Sequence, residues 1–237
     1  MGVKKATIAA YWTKLNSFFK WLERLQYISR NPFQDFKQPT ITYEDRKYLK
    51  RGDIEKILTA ILIHCDTNIL LLKRNLVIFY ILLFCGLRRE ELLQLQIRDV
   101  DIEKKMLTVR AETSKSRRTR YVPLHSQVLL HLREYLQERR KYTTPRLIVS
   151  NGRDEGLTQN GLKHLVDTLR KISRVSFSLH QFRHTFAVIF LKANNNIAKL
   201  RQLLGHSDIR STILYLRCLP PNEMRGDIEN MSIDNLV

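Results

Sequence analysis

The longest uninterrupted apolar run in this chain, Leu76 to Cys85, constrains the fold more than any other feature. It stops well short of the roughly 20 apolar residues a membrane-spanning helix requires. It is read as a buried helix of the core. Helical periodicity supplies the elements that cover it. Apolar residues recur at Ile54, Ile57, Leu58, Ile61 and Leu62, continue from Leu70 to Phe84 and return from Leu92 to Leu95. Further along they mark Leu162, Leu165, Val166 and Leu169, then Phe182, Phe186 and Ile189, then Ile197, Leu200, Leu203 and Leu204. Strands are few. Residues 106–110 and 118–122 alternate apolar and polar side chains around Ser114-Lys115-Ser116-Arg117, the pattern of a hairpin with a basic tip. A third short strand is expected at residues 147–149, before the turn pair Asn151-Gly152. The expected class is mainly α with a small antiparallel β-sheet, an α+β fold.

The N-terminal segment is organised differently. Ile8, Trp12, Leu15, Phe19, Leu22 and Leu25 recur every three or four positions, as one face of a helix requires, and Asn31-Pro32 ends the pattern. From Phe36 to Lys47 the chain is polar, contains Pro39 and shows no period, which marks a linker. The expected organisation is therefore a partial helical region over residues 1–38, a linker over 39–47 and a main domain over 48–237. The first piece is too small to hold a core of its own.

A formal net charge of +18 in 237 residues points to a polyanionic partner, because such an excess attracts phosphate backbones without regard to sequence. A ribosomal protein or a membrane-surface binder shares that property, so charge alone does not choose. Cys65, Cys85 and Cys218 are odd in number, widely spaced and form no CxxC pair, which argues against a disulfide framework or a zinc ribbon and fits a reducing cytoplasm. The start, Met1-Gly2-Val3-Lys4-Lys5, leads into an amphipathic pattern and has no signal-peptide apolar core.

Three polar signatures carry the chemistry. Arg88 lies in Cys85-Gly86-Leu87-Arg88-Arg89-Glu90-Glu91 at the end of the apolar helix. A lone arginine is by default a solvated one, but a guanidinium can also grip two phosphate oxygens in a geometry lysine cannot supply. Glu91, three residues on, shares its helical face and would orient it. The second signature is His180-Gln181-Phe182-Arg183-His184, with His180 and Arg183 projecting to one side of a helix. His180 and His184 have the spacing of a zinc pair, with His206 as an imagined third ligand. Gln181 stands where a zinc peptidase needs a glutamate, and Arg183 between the histidines would repel a cation. His184 is read as a core or supporting histidine. In the third signature His206 follows Gly205, which suits the left-handed close of a helix, and Tyr215 stands nine residues later. Lys115 sits at the hairpin tip, while Arg117, Arg118 and Arg120 read as bases contacting a nucleic-acid backbone.

In order and spacing, Arg88, Lys115, His180, Arg183, His206 and Tyr215 resemble the site of the tyrosine recombinase (phage integrase) family, over about Leu49 to Leu216. The resemblance implies that family's catalytic-domain fold. It implies that Tyr215 attacks a DNA phosphodiester, that Arg88 and Arg183 stabilise the phosphate, and that His180 and His206 serve as hydrogen-bond or proton-transfer partners. Lys115 would protonate the leaving oxygen. The implied partner is double-stranded DNA, bound by a homo-oligomer, a tetramer on synapsed DNA, with no cofactor, no metal and no membrane. Residues 8–32 resemble only the last part of the family's core-binding helical region, as in a naturally short relative or a truncated product. Two alternatives stay open: a type IB topoisomerase-like activity, against which the Leu204-Gly205-His206 motif and compact spacing argue, and a DNA-binding module without catalysis.

Overall fold

The computed structural model describes residues 5–39, 48–65, 68–194, 196–206 and 208–215. The chain divides into two compact units, Met1–Asp45 and Arg46–Val237. Residues 40–47 of the expected linker lie outside the described residues.

In the first unit, helix α1 spans Lys5–Arg24. It ends sooner than Asn31-Pro32, because Gln26 turns left-handed and the chain folds back. The returning segment is pinned by polar and aromatic contacts. Asn31 donates from its side chain to Asn16 Oδ1 at 2.8 Å, and its backbone N–H reaches Glu23 Oε1 at 3.1 Å. Phe33 stacks on Phe19 and meets the edge of Trp12. The apolar stripe is thus only half used within the unit: Trp12, Phe19 and Leu22 are half-buried, whereas Ile8, Leu15 and Leu25 stay exposed.

The second unit is built around the apolar run. Helix α2 spans Arg51–His64, α3 Ile69–Cys85 and α4 Arg89–Gln94. Three strands follow, β1 Val100–Asp101, β2 Met106–Val109 and β3 Arg120–Pro123. Then come α5 Ser126–Glu138, α6 Gln159–Ser173, α7 Leu179–Asn194, α8 Ile197–Leu204 and α9 Arg210–Ile213. Helix α3 is apolar on every side because α2, α5 and α7 surround it. Burial pushes the Cys85 thiol, at the end of α3, up to about 12, so this cysteine packs and does not react.

The sheet is antiparallel in the order β1-β2-β3, with Leu107 opposite Val122 and Val109 opposite Arg120. Alternation along β3 turns Arg120 and Val122 inward and Tyr121 and Pro123 outward. Residues 147–149, expected as a strand, do not form one. They are buried, but Leu147 N–H bonds Leu95 while Ile148 O receives Leu157 N–H, so each partner segment contributes a single bridge and no ladder develops. Helix α5 was not anticipated, although Val128, Leu129, Leu132 and Tyr135 bury one face of it.

A smaller apolar cluster, Phe186, Ala187, Leu191, Leu200, Leu204 and Tyr215, joins α7 to α8. Gly86, which ends α3 in the left-handed conformation at φ 59, lies against its Phe186. A Cβ at Gly86 would overlap the Phe186 ring. Gly86→Ala should therefore lower stability by about 1–3 kcal/mol in urea unfolding, through left-handed strain and overlap together. An unchanged midpoint would show that Phe186 yields at no cost.

Candidate active site

The site forms where three helix ends meet. Gly86 reverses the chain after α3, so Arg88 stands at the N-cap of α4 with α4's first turn directly behind it. Glu91 occupies that turn and is 1% exposed. It accepts from the Arg88 backbone N–H at 2.8 Å and from Arg88 Nη1 at 2.9 Å, which fixes the guanidinium while its side chain remains 25% exposed.

Arg120 differs from its expected place on a DNA-facing tip. The period of β3 carries it inward, where it is 7% exposed and clamps Glu91 through two bonds, Nη1 to Oε1 at 2.9 Å and Nη2 to Oε2 at 2.7 Å. Its Nε donates to the Leu203 carbonyl at 2.8 Å, and the backbone of Gly205 lies against its side chain. Arg120 is thus turned into the protein against Glu91 and away from the exposed tip. Its neighbours Arg117 and Arg118 are exposed, as is Lys115. Ser114, beside Lys115, bonds Ser116 and reaches Glu91 Oε1 at 3.4 Å, which ties the base of the tip to the same carboxylate.

Arg183 projects from α7 into this cluster and is 2% exposed. Its Nη1 donates to Gly86 O at 2.7 Å and its Nη2 to Leu204 O at 2.6 Å. Both are carbonyls at helix C-termini, which carry partial negative charge and lack helical partners. Glu91 Oε2 lies 4.0 Å from Arg183 Nη1. Burial and the neighbouring Arg88 draw the Arg183 guanidinium down to about 9, still charged at neutral pH.

A row of rings completes the site. His180, exposed in the first turn of α7, meets the His184 ring edge to face at 4.2 Å. His184 Nδ1 lies 3.0 Å from the Tyr215 hydroxyl, and both residues are buried. The His206 ring lies parallel to that of Tyr215 with centroids 6.4 Å apart, and His206 Nδ1 pairs with Thr212 Oγ1 at 2.9 Å. The structure thus brings together Arg88, Glu91, Arg183, His180, His206 and Tyr215, and adds Arg120, Ser114, Thr212 and His184. Of these additions, Arg120 lies in the basic run that the sequence marks for backbone contact and His184 stands beside Arg183, whereas Ser114 and Thr212 carry no chemical signal of their own.

Burial by itself would raise the Glu91 carboxyl, but the Arg120 bonds and charge, with Arg88, overcome this and hold it at about 2. Folding therefore lowers this pKa, so its contribution to stability is complete above the ordinary value of 4.5 and drains away as pH falls to about 2. Denaturant midpoints measured across that window should fall more steeply for the natural protein than for Glu91→Gln; equal slopes would remove Glu91 as the acid-sensitive anchor. Glu91→Ala, which leaves the arginines without their buried counter-charge, should cost about 3–5 kcal/mol.

Residues 47–220 match the phage integrase family. The chain is 29% identical over 230 residues to tyrosine recombinase XerC of Bacillus pumilus, covering 90% of this chain and 71% of that protein. It is 28% identical over 221 residues to tyrosine recombinase XerD of Listeria innocua, covering 90% and 72%. Among solved structures, the Tn1549 transposon integrase in complex with a circular intermediate DNA superposes with a TM-score of 0.74 at 22% identity, over 98% of this chain and 81% of that one. The XerH site-specific recombinase bound to a palindromic difH substrate gives 0.71 at 20% identity, over 95% and 72%. With residues 47–220 matching the family and the catalytic-domain fold shared, the chain belongs to the phage integrase family and is a tyrosine recombinase, an enzyme that cuts and rejoins DNA strands.

Proposed function

We propose that Tyr215 is the nucleophile of this recombinase and that Arg88 and Arg183 clamp the scissile phosphate. One observation carries the reading: two arginines 95 positions apart converge on one buried carboxylate, with the Tyr215 phenol within electrostatic reach of Arg183. The Tyr215 oxygen attacks phosphorus and the bond to the 5′ oxygen breaks, leaving a 3′-phosphotyrosyl link and a 5′ hydroxyl. The 5′ hydroxyl of another strand then attacks the link and releases the tyrosine. The covalent link conserves the bond energy, so strand transfer needs no nucleotide hydrolysis.

Arg88 and Arg183 offset charge on the pentacoordinate phosphate, and their fixed geometry means no reorganisation is required as that charge develops. Glu91 orients Arg88. His180 and His206 hydrogen-bond the phosphate oxygens. Lys115, on the exposed tip, delivers a proton to the leaving 5′ oxygen once DNA is bound. Arg117 and Arg118 contact the backbone of double-stranded DNA beside it. The protein acts on DNA in the cytoplasm as a tetramer on two synapsed duplexes, with residues 1–38 contributing part of a core-binding region and residues 48–237 the catalytic domain.

The test is covalent capture on a nicked duplex selected from a randomised library. Tyr215→Phe should fold and bind DNA normally yet form no adduct; an adduct in that variant would sink the assignment. Arg183→Lys should lose about 10²-fold or more in cleavage, since lysine cannot reproduce the paired contacts. Lys115→Ala should cut ordinary DNA slowly but recover on a substrate with a 5′-bridging sulfur, whose thiolate leaves without a proton. An equal defect on both substrates would reduce Lys115 to phosphate binding.

A further inference from the structure

We propose that His184 is the base that takes the phenolic proton of Tyr215 during strand cleavage; this rests on Tyr215 being the nucleophile. The geometry comes first. His184 Nδ1 stands 3.0 Å from the Tyr215 oxygen, within the distance required for direct proton transfer. With the imidazole protonated on Nε2, the hydroxyl donates to Nδ1 and a lone pair already faces the proton that must leave.

Burial makes an internal acceptor necessary. Tyr215 is 1% exposed and His184 6%, so the pair is largely shielded from bulk water. Arg183, within electrostatic reach of the phenol, is a cation without a lone pair to offer. The His206 ring lies parallel to the phenol ring, with its Nδ1 turned to Thr212, so its face and not this nitrogen is presented to Tyr215. A neutral imidazole carries one nitrogen with a free lone pair, so it can accept a proton and later return it. His180 packs its ring edge to face against His184 and so helps to hold its orientation.

The proton inventory closes over a full reaction. In cleavage the Tyr215 proton passes to His184 as the oxygen–phosphorus bond forms, and the leaving 5′ oxygen takes a proton from Lys115. In rejoining, the attacking 5′ hydroxyl returns a proton to Lys115, and the departing Tyr215 oxygen takes its proton back from His184. No external acid or base is consumed.

The decisive variant is His184→Asn, whose amide oxygen can occupy the place of Nδ1 and accept a hydrogen bond but not a proton. Covalent adduct formation by the full chain should slow by about 10²-fold or more. Replacing Tyr215 in that variant by a fluorotyrosine of more acidic phenol should recover most of the loss. A natural rate in His184→Asn, or a defect that the acidic phenol leaves unchanged, would overturn the base and leave His184 a packing residue. A second measurement needs no variant. On the 5′-bridging-sulfur substrate, where the leaving group takes no proton, cleavage by the natural protein should still slow in D₂O; no isotope effect there would equally overturn the role. Tyr215→Phe separates the two readings: an adduct in that protein removes the nucleophile itself, whereas its absence together with a natural rate in His184→Asn removes only the base.

Discussion

The arrangement depends on one buried carboxylate. Glu91 accepts from Arg88 and Arg120, stands near Arg183 and holds Ser114 at the base of the tip that carries Lys115. Three guanidinium groups this close repel one another, and two of them are nearly removed from water. A single negative charge among them makes the cluster tolerable, and its position sets theirs. The cluster keeps a residual positive charge, and Arg88, at 25%, is the most exposed of the three.

Backbone dipoles do the rest of the work of holding these cations. Arg183 binds carbonyls at the ends of α3 and α8, and Arg120 binds the carbonyl of Leu203 in the last turn of α8. Helix C-termini leave such oxygens without partners, so buried arginines satisfy the helices while the helices stabilise the charge. The same contacts lock α4, α7, α8 and β3 together around the site. Precision in the placement of Arg183 therefore follows from the packing of α3, whose position α2, α5 and α7 determine.

Beside this rigid cluster lies the row His180, His184, Tyr215 and His206, carried by α7 and by the residues on either side of α9. Tyr215 belongs at once to the small apolar cluster between α7 and α8 and to this polar row. Its ring is held by packing and its oxygen by a histidine. A phenol has one apolar body and one polar end, and the two kinds of contact orient it without competing.

The sequence by itself determined the fold class, the apolar axis of the main unit, the helical face carrying Arg183 and the spacing of the motif residues. All of these rest on local periodicity and short-range order. It also indicated Glu91 beside Arg88, because residues three apart on a helix share a face. It misread Arg120, whose place in a basic run masked the strand alternation that turns it inward, and it read residues 147–149 as a strand although two different neighbours each supply one bridge. Which carboxylate Arg120 meets, which helix ends Arg183 caps and which imidazole touches Tyr215 were decided only by tertiary structure. Each joins residues from 21 to 97 positions apart, and such pairings depend on how helices pack, not on any pattern within them.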